Sequence, residues 1–361
     1  MLLAISALIA GCAGERRSYH PAAASAAQTR DLIERALPRS VGDRAGWAAD
    51  MFSAFNVLAV APTNENICAV IAVIEQESGF RVDPVIPGLA AIAWREIDDR
   101  AARAGIPRIM VHGALELKSP TGRSYGERID SAKTEKELSD IYQDLIGAVP
   151  MGPTLFSDRN PIRTRGPMQV HVAFAEQYSA AKPYPYSVKT SIADEVFTRR
   201  GGVYFGIAHL LDYRAPYDRY LYRFADFNAG QYASRNAAFQ RAVSRASGIP
   251  LVADGALLPH DAAPNSPGPT EIAVRSLGPR LEAGDGAIHR ALAQAKTAEL
   301  EENPVYQRVF ALGELSGHRN LPRAAVPDIE LHGPKITRRL TTQWYANRVN
   351  GRFERCLNRQ P

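Results

Sequence analysis

A glutamate at the end of an apolar helix is the residue of this chain best suited to acid–base chemistry. The periodicity of residues 65–78 predicts a helix, and the apolar side chains that share its inner face are Ile67, Val70, Ile71 and Ile74. Glu77 continues this face at the helix end, and Gly79 follows as a residue free to adopt a positive φ. A carboxyl placed there is partly withdrawn from water, which favours its protonated form and suits it to act as a general acid. The pattern alone also allows a glutamate that merely reaches solvent at a helix end.

Four short segments of the sequence occur in an order that is typical of a known enzyme family. They are VIEQESGF at residues 73–80, GPMQ at 166–169, GGVYF at 201–205 and DFNAG at 226–230. This order resembles the lytic transglycosylases related to goose-type lysozyme, which have a Glu-Ser pair, a Gly-Leu-Met-Gln-like motif, a Gly-x-x-Tyr-Leu helix and Ala-Tyr-Asn-Ala-Gly. Each segment alone is a weak signal, but the four in this order together are a strong one. The resemblance covers residues 64–243, with a large insertion between the first two motifs.

The resemblance implies a role for each matching residue. Glu77 is expected to protonate the glycosidic oxygen and then to deprotonate the sugar 6-hydroxyl, whose attack yields a 1,6-anhydro product. Lysozyme-like folds of this family need no cofactor. The residues that the resemblance places around the substrate and the catalytic carboxyl are Ser78, Met168, Gln169, Phe227 and Asn228.

Two positions depart from the family pattern. Pro167 stands where leucine is usual and has no N–H to donate, although proline is tolerated at the start of a helix. Phe227 stands where tyrosine is common, so this position supplies no phenolic hydroxyl. Ordinary glycosidases need two carboxylates, whereas a lytic transglycosylase needs one. We therefore interpret Asp83 and Asp226 as structural, with a role as second carboxylate as the alternative.

The apolar periodicity predicts a mainly α chain. We expect a lysozyme-like catalytic domain over residues 29–248 with an insertion at residues 85–165, a connection over 249–285 and a C-terminal helical extension over 286–361. The predicted helices cover residues 29–37, 44–58, 65–78, 90–104, 134–146, 170–181, 191–213, 217–228, 234–247, 287–302, 304–315 and 335–358.

The N-terminus is typical of an exported, lipid-anchored protein. Residues 1–11 form an apolar stretch too short to span a bilayer, which predicts a signal peptide. They lead into LIAGC, which resembles a bacterial lipobox and predicts acylation of Cys12 by palmitate or a similar chain. Residues 12–28 then predict a flexible tether. Because Ala13 follows the cysteine, the resemblance implies a periplasmic protein anchored to the outer membrane. A buried N-terminal helix is the alternative.

Two further cysteines, Cys68 and Cys356, form an even pair once Cys12 is set aside. In an oxidising compartment they can form a disulfide that closes most of the chain. Two buried free thiols are the alternative, and the sequence leaves the choice open.

Composition and motifs exclude several classes of function. The net charge is +5, but the arginines are scattered and no nucleic-acid motif occurs, so we expect no nucleic-acid partner. There is no HExxH and no Cys/His cluster, so we expect no metal.

The whole layout also resembles a family of uncharacterised bacterial lipoproteins. We predict a peptidoglycan lytic transglycosylase that cleaves the bond between N-acetylmuramic acid and N-acetylglucosamine. Its expected partners are the glycan strands and, through the lipid, a membrane; the sequence indicates no protein partner. One alternative is a non-catalytic peptidoglycan-binding lipoprotein with a lysozyme-like fold, and another is a muramidase that uses water.

Overall fold

The computed structural model describes residues 25–359 except for 152–153, 155–158, 183, 260–265, 316–318, 334–335 and 337. The predicted signal peptide, Cys12 and most of the predicted tether lie outside the described residues. The prediction of a mainly helical chain is confirmed. Where described, no helix is both long and apolar enough to cross a membrane.

The helices and strands follow one another in a simple order. The helices are α1 (Ala26–Ala36), α2 (Arg44–Val57), α3 (Asn64–Glu77), α4 (Leu89–Arg103), α5 (Arg108–Leu115), α6 (Tyr125–Ser131), α7 (Glu135–Gly147), α8 (Val172–Ala181), α9 (Ile192–Glu195), α10 (Arg199–Leu211), α11 (Tyr220–Ala229), α12 (Ala233–Ser247), α13 (Pro269–Ser276), α14 (Gly278–Leu281), α15 (Asp285–Ala293), α16 (Pro304–Leu315) and α17 (Thr342–Leu357). Two antiparallel two-stranded sheets pair β1 (Thr164–Arg165) with β2 (Val170–His171) and β3 (Glu330–Leu331) with β4 (Leu340–Thr341). Short 3₁₀ turns cover Gln294–Lys296 and Ala298–Glu302.

The main core is built around α3. Residues 67–74 are all fully buried, and α1, α2, α10, α11 and α17 contribute to the same apolar cluster. A helix that is apolar on every face requires neighbours on every face, and this arrangement supplies them. Thr63 caps α3 by accepting a hydrogen bond from the N–H of Asn66. The core therefore fixes where α3 ends, and with it the position of Glu77.

A second core forms between α12 and α13–α16. Arg235 of α12 is fully buried and donates to the backbone carbonyls of Ala295 and Thr297, which ties α12 to this core. The prediction that residues 249–285 form a connection without helices is wrong in part, because they contain α13 and α14. Both helices carry proline in the first turn, where no N–H donor is needed. The proline content of this segment favoured a loop in the sequence prediction, and the two helices were therefore missed.

The segment predicted to be an insertion, residues 85–165, has its own small core. Apolar residues of α5–α7 pack together, and Trp94 of α4 lies against them. The segment 107–125 lies outside the predicted helices, but it contains α5 and the start of α6. Ser124 and Glu127 form a capping box at the start of α6, a local signal that the apolar periodicity did not reveal.

The last helix belongs to the main core. Helix α17 packs against α3 and α11, and a disulfide joins Cys68 of α3 to Cys356 of α17, with their Cα atoms 5.5 Å apart. The structure thus resolves the choice between a disulfide and free thiols in favour of the disulfide. Although α17 lies at the end of the predicted C-terminal extension, it completes the core around α3.

We predict that removing this disulfide destabilises the whole main core. The bond joins residues that are 288 positions apart in sequence. Loss of so long a loop constraint is expected to lower the free energy of unfolding of a Cys68→Ala/Cys356→Ala variant by about 2–5 kcal/mol. Denaturant unfolding checks this, with reduced wild type as the control. The stability of reduced wild type should match that of the variant, and reductant should not change the stability of the variant. Equal stability of oxidised and reduced wild type would contradict the prediction.

Candidate functional site

Glu77 is the last residue of α3 and is half-buried. The next residue, Ser78, is buried; its N–H and its Oγ both donate to the carbonyl of Ile74, at 3.0 and 3.2 Å. Gly79 and Phe80 follow with φ of 58° and 63°, which turn the chain away from the helix. Ser78 therefore ends the helix, and its hydroxyl is used in the cap.

The hydroxyl of Tyr345, on α17, donates a hydrogen bond to Oε1 of Glu77. Tyr345 is 5% exposed, and burial together with the negative charge of Glu77 raises the pKa of Tyr345 well above its ordinary value of 10. The hydroxyl therefore stays protonated and remains available as a partner for the carboxyl. A donor of this kind fixes the orientation of a carboxylate and favours its charged form.

The contacts along α3 and α17 show that the two helices run antiparallel. Nε of Arg348 donates to Oε1 of Gln76 at 3.1 Å, and Nε of Arg352 lies 3.7 Å from Oε1 of Glu75. These contacts lie between the disulfide at one end of the helix pair and the Tyr345–Glu77 hydrogen bond at the other.

Sequence reasoning missed Tyr345, which lies 268 residues from Glu77. A signal was nevertheless present in the cysteines. If Cys68 pairs with Cys356 and the helices run antiparallel, moving nine residues along α3 reaches Glu77 and moving eleven back along α17 reaches Tyr345. These steps correspond to about 14 and 17 Å of helix, so the two side chains lie at the same level.

The GPMQ segment forms the turn between β1 and β2 rather than the start of a helix. The N–H of Gln169 donates to the carbonyl of Gly166 at 3.0 Å, so Pro167 occupies the second position of a β-turn, where proline is favoured. This explains why the missing N–H of Pro167 is tolerated. Helix α8 begins only afterwards, at Val172.

The same turn packs closely on two glycines of α10. A Cβ at Gly202 would lie 2.4 Å from Cδ of Pro167, and a Cβ at Gly206 would lie 2.2 Å from Sδ of Met168. Met168 is fully buried by this contact. A side chain without exposed surface cannot touch a polymer, so Met168 serves packing here and its expected substrate contact is corrected accordingly.

The side chain of Gln169 is half-buried, and both ends of its amide have partners. Its Oε1 accepts from the hydroxyl of Thr164 at 3.1 Å, while its Nε2 donates to the carbonyl of Gly166 at 3.3 Å and to Oε2 of Glu135 at 3.4 Å. Because Glu135 belongs to α7, the insertion contributes directly to the surroundings of this motif. The substrate contact assigned to Gln169 stays a prediction.

The end of α11 meets α17 and α10 at separate points. Asn228 is exposed, and its Oδ1 accepts from the hydroxyl of Thr342 at 2.9 Å, one helical turn before Tyr345. Phe227 lies against His209 of α10, with ring centres 5.1 Å apart. Asn228 is thus tied to the same end of α17 as Glu77, and the roles expected for Phe227 and Asn228 stay predictions.

Asp226 is almost completely buried, which raises its pKa, and it accepts four hydrogen bonds from the protein. Burial also raises the pKa of Asp83, whose carboxyl bonds to Thr134 of the insertion. Both carboxyls therefore have hydrogen-bond partners within the protein, which fits the interpretation of Asp83 and Asp226 as structural residues. The donors to Asp226 are the hydroxyls of Tyr213 and Tyr217 and the N–H groups of Tyr232 and Ser234, at 2.6–3.0 Å.

Across the described part of the chain, no group of three or more His, Cys, Asp or Glu side chains is placed to hold a metal ion.

His209 gives a pH-dependent prediction. Burial lowers the pKa of His209 from 6.5 to about 4, and its Nε2 donates to the carbonyl of Phe227 at 3.3 Å. Because the unfolded chain binds this proton more readily, the stabilisation is complete above pH 6.5 and is lost as the pH falls toward 4. The expected loss is about 3 kcal/mol.

Urea unfolding of wild type and His209→Gln between pH 7 and pH 4 measures this effect. Glutamine keeps a donor for Phe227 but does not titrate, so the variant should lose less stability than wild type over this range. Parallel pH dependence in the two proteins would refute the assignment.

Comparison with known proteins places these residues in a family. The chain matches, over residues 40–359, the family described as Protein of unknown function (DUF1615). It is 49% identical over 356 residues to the Uncharacterized protein YaiW of Escherichia coli (strain K12). The matched region covers 99% of this chain and 96% of that protein. No solved structure matches. The resemblance to an uncharacterised bacterial family is confirmed, whereas acylation and the likeness to lytic transglycosylases stay predictions. The chain belongs to the DUF1615 family.

Proposed function

We propose that this protein is a peptidoglycan lytic transglycosylase with a lysozyme-like core, and that Glu77 is its catalytic acid/base. The observation that carries the proposal is a half-buried glutamate at the end of a fully buried helix, held by the neutral hydroxyl of Tyr345. Support also comes from the order of the four sequence segments. The proposed location is the periplasm, with attachment to the outer membrane through Cys12.

The proposed reaction needs one carboxyl that first gives and then takes a proton. Protonated Glu77 donates its proton to the glycosidic oxygen as the bond to C1 of N-acetylmuramic acid breaks, leaving a 4-hydroxyl on N-acetylglucosamine. The resulting carboxylate removes the proton of the muramic 6-hydroxyl, whose oxygen bonds to C1. Glu77 is thereby reprotonated, no water is consumed, and one product end carries a 1,6-anhydro ring.

Tyr345 suits both protonation states of Glu77 during this cycle. A phenolic hydroxyl donates to a carboxylate and accepts from a carboxylic acid. It takes the place of the hydroxyl that the family motif would supply from position 227, where this chain has Phe227. Tyr345 is therefore a positioning residue that acts through Glu77.

A second candidate function is peptidoglycan binding without cleavage. The observation that favours it is that residues expected to contact substrate are used inside the protein: Ser78 in a helix cap, Met168 in packing and Gln169 in internal hydrogen bonds. A binding protein would not require the carboxyl of Glu77.

Replacing Glu77 separates these functions. Wild type incubated with purified sacculi is expected to release anhydro-muropeptides detectable by mass spectrometry. Glu77→Gln removes the acid and should slow release by a factor of about 10²–10⁴. The matched control is Glu65→Gln, at the other, exposed end of the same helix, which should behave as wild type.

Two other outcomes of this experiment would reject the assignment of Glu77 as the acid/base of a lytic transglycosylase. Products with a reducing end would show hydrolysis by water, as in a muramidase. An absence of soluble products from wild type would favour the binding function.

Replacing Tyr345 by Phe keeps the buried ring and removes only the hydroxyl. We expect kcat to fall by about tenfold to a hundredfold with little change in KM, since geometry around the acid/base is loosened. Because a donor to the carboxylate is lost, the alkaline limb of the pH–rate profile should move to higher pH.

Tyr306→Phe serves as the matched control, because Tyr306 is also 5% exposed but belongs to the second core. It should leave the rate and the pH profile unchanged. If Tyr345→Phe shows an unaltered kcat and pH profile, Tyr345 has only a packing role.

A further inference from the structure

The side of α17 that borders its contact with α3 carries a row of arginines. Arg348, Arg352 and Arg355 follow Trp344 at intervals of four, four and three residues, a spacing that places side chains on one face of a helix. We call Arg348, Arg352 and Arg355 the arginine row. Arg348 and Arg355 are exposed. Burial, together with the positive charges of its two neighbours, lowers the pKa of Arg352, so these like charges act on one another.

Trp344, at the front of the row, has two guanidinium groups close to its ring. The guanidinium carbons of Arg338 and Arg348 are 5.4 and 5.5 Å from the centre of its ring. Arg338 reaches it from the β3–β4 hairpin. This arrangement gathers two cations at one half-buried indole, which attracts both.

Few carboxylates neutralise these cations. Within the part of the chain that the structure describes, Glu75 lies 3.7 Å from Arg352, and no ion pair involves Arg338, Arg348 or Arg355. The nearby Glu354 accepts a hydrogen bond from Asn350 at 2.7 Å. Like charges one helical turn apart repel one another, so a bound anion would relieve the repulsion.

The arginine row begins next to Glu77. Arg348 donates to Gln76, the residue that precedes Glu77, and the row then runs toward the disulfide. Arg348 and Arg355 are separated by about 10 Å along the helix axis. A ligand that reaches both Glu77 and the row is therefore extended and carries negative charge beside its reacting part.

We propose that Arg338, Trp344 and the arginine row bind the carboxylate-bearing peptide branches of the polymer whose glycan strand is cleaved at Glu77. This inference rests on the proposed function. Guanidinium groups match carboxylates in shape and bind them through paired hydrogen bonds. The peptide branches of peptidoglycan supply several carboxylates next to each muramic acid, which fits a row of cations beside the carboxyl that acts on that sugar.

An anionic membrane is the other polyanion within reach of such a row. Membrane-binding helices combine cations with exposed apolar side chains that enter the lipid. None of the large apolar side chains exposed in the described chain lies between residues 338 and 359. The observations therefore favour the peptide branches.

Binding is tested with the full chain carrying Cys12→Ser, which removes the predicted acylation site, and Glu77→Gln, which prevents cleavage. This parent is co-sedimented with purified sacculi and with vesicles containing phosphatidylglycerol. Its affinity for the soluble glycan strands left after enzymatic removal of the peptides is measured by competition, from the concentration of strands that releases the parent from sacculi. Adding Arg348→Gln and Arg355→Gln should weaken binding to sacculi at least tenfold. Both proteins should bind peptide-free glycan equally, and less tightly than the parent binds sacculi.

The matched control adds Arg241→Gln and Arg290→Gln, which remove the same charge from exposed positions on α12 and α15. It should bind sacculi as the parent does. The proposal is overturned if the Arg348/Arg355 variant binds sacculi as tightly as the parent does, or if the parent binds peptide-free glycan as tightly as sacculi. It is also overturned if the two substitutions weaken binding to the vesicles and not to sacculi.

Failure of this site and failure of the proposed reaction give different results. Arginine-dependent binding without anhydro products from the active protein would reject the reaction and leave the site as one for peptide branches. Anhydro products with unchanged binding and KM in the Arg348/Arg355 variant would reject the site alone.

Discussion

The antiparallel contact between α3 and α17 is the interaction on which the rest of the site depends. Eight consecutive residues of α3 are fully buried, and α17 covers one side of them. A covalent bond closes one end of this contact, and the hydrogen bond between Tyr345 and Glu77 closes the other. The position of the proposed acid/base is therefore set by two segments from opposite ends of the chain.

For the acid/base proposed above, this arrangement reconciles two demands on the carboxyl of Glu77. A general acid at neutral pH must be withdrawn from water, yet a buried carboxyl without a partner is costly. Half-burial at the end of α3 meets the first demand, and a neutral hydroxyl that can donate or accept meets the second. The thermodynamic stability of the main core and the geometry at Glu77 therefore depend on the same pair of helices.

Sequence periodicity predicted most of the helices because their apolar faces repeat every three or four residues. It placed α3 and the position of Glu77 at its end within one residue. It failed over residues 269–281, where α13 and α14 each carry proline in the first turn and therefore resemble a loop in sequence.

Tyr345 could not be found from periodicity at all, since its role depends on which distant helix it meets. No local pattern distinguishes it from the other apolar-face residues of α17. Only the pairing of Cys68 with Cys356 would have specified that register, and the sequence left this pairing open.

The most direct test of the account is a crystal structure of the Glu77→Gln protein with a bound muropeptide that spans the scissile bond. The account predicts that the glycosidic oxygen lies within hydrogen-bond distance of the residue 77 side chain, that the Tyr345 hydroxyl still contacts that side chain, and that the peptide lies along α17. Sugar density elsewhere on the protein, with residue 77 out of reach of the glycosidic bond, would contradict it.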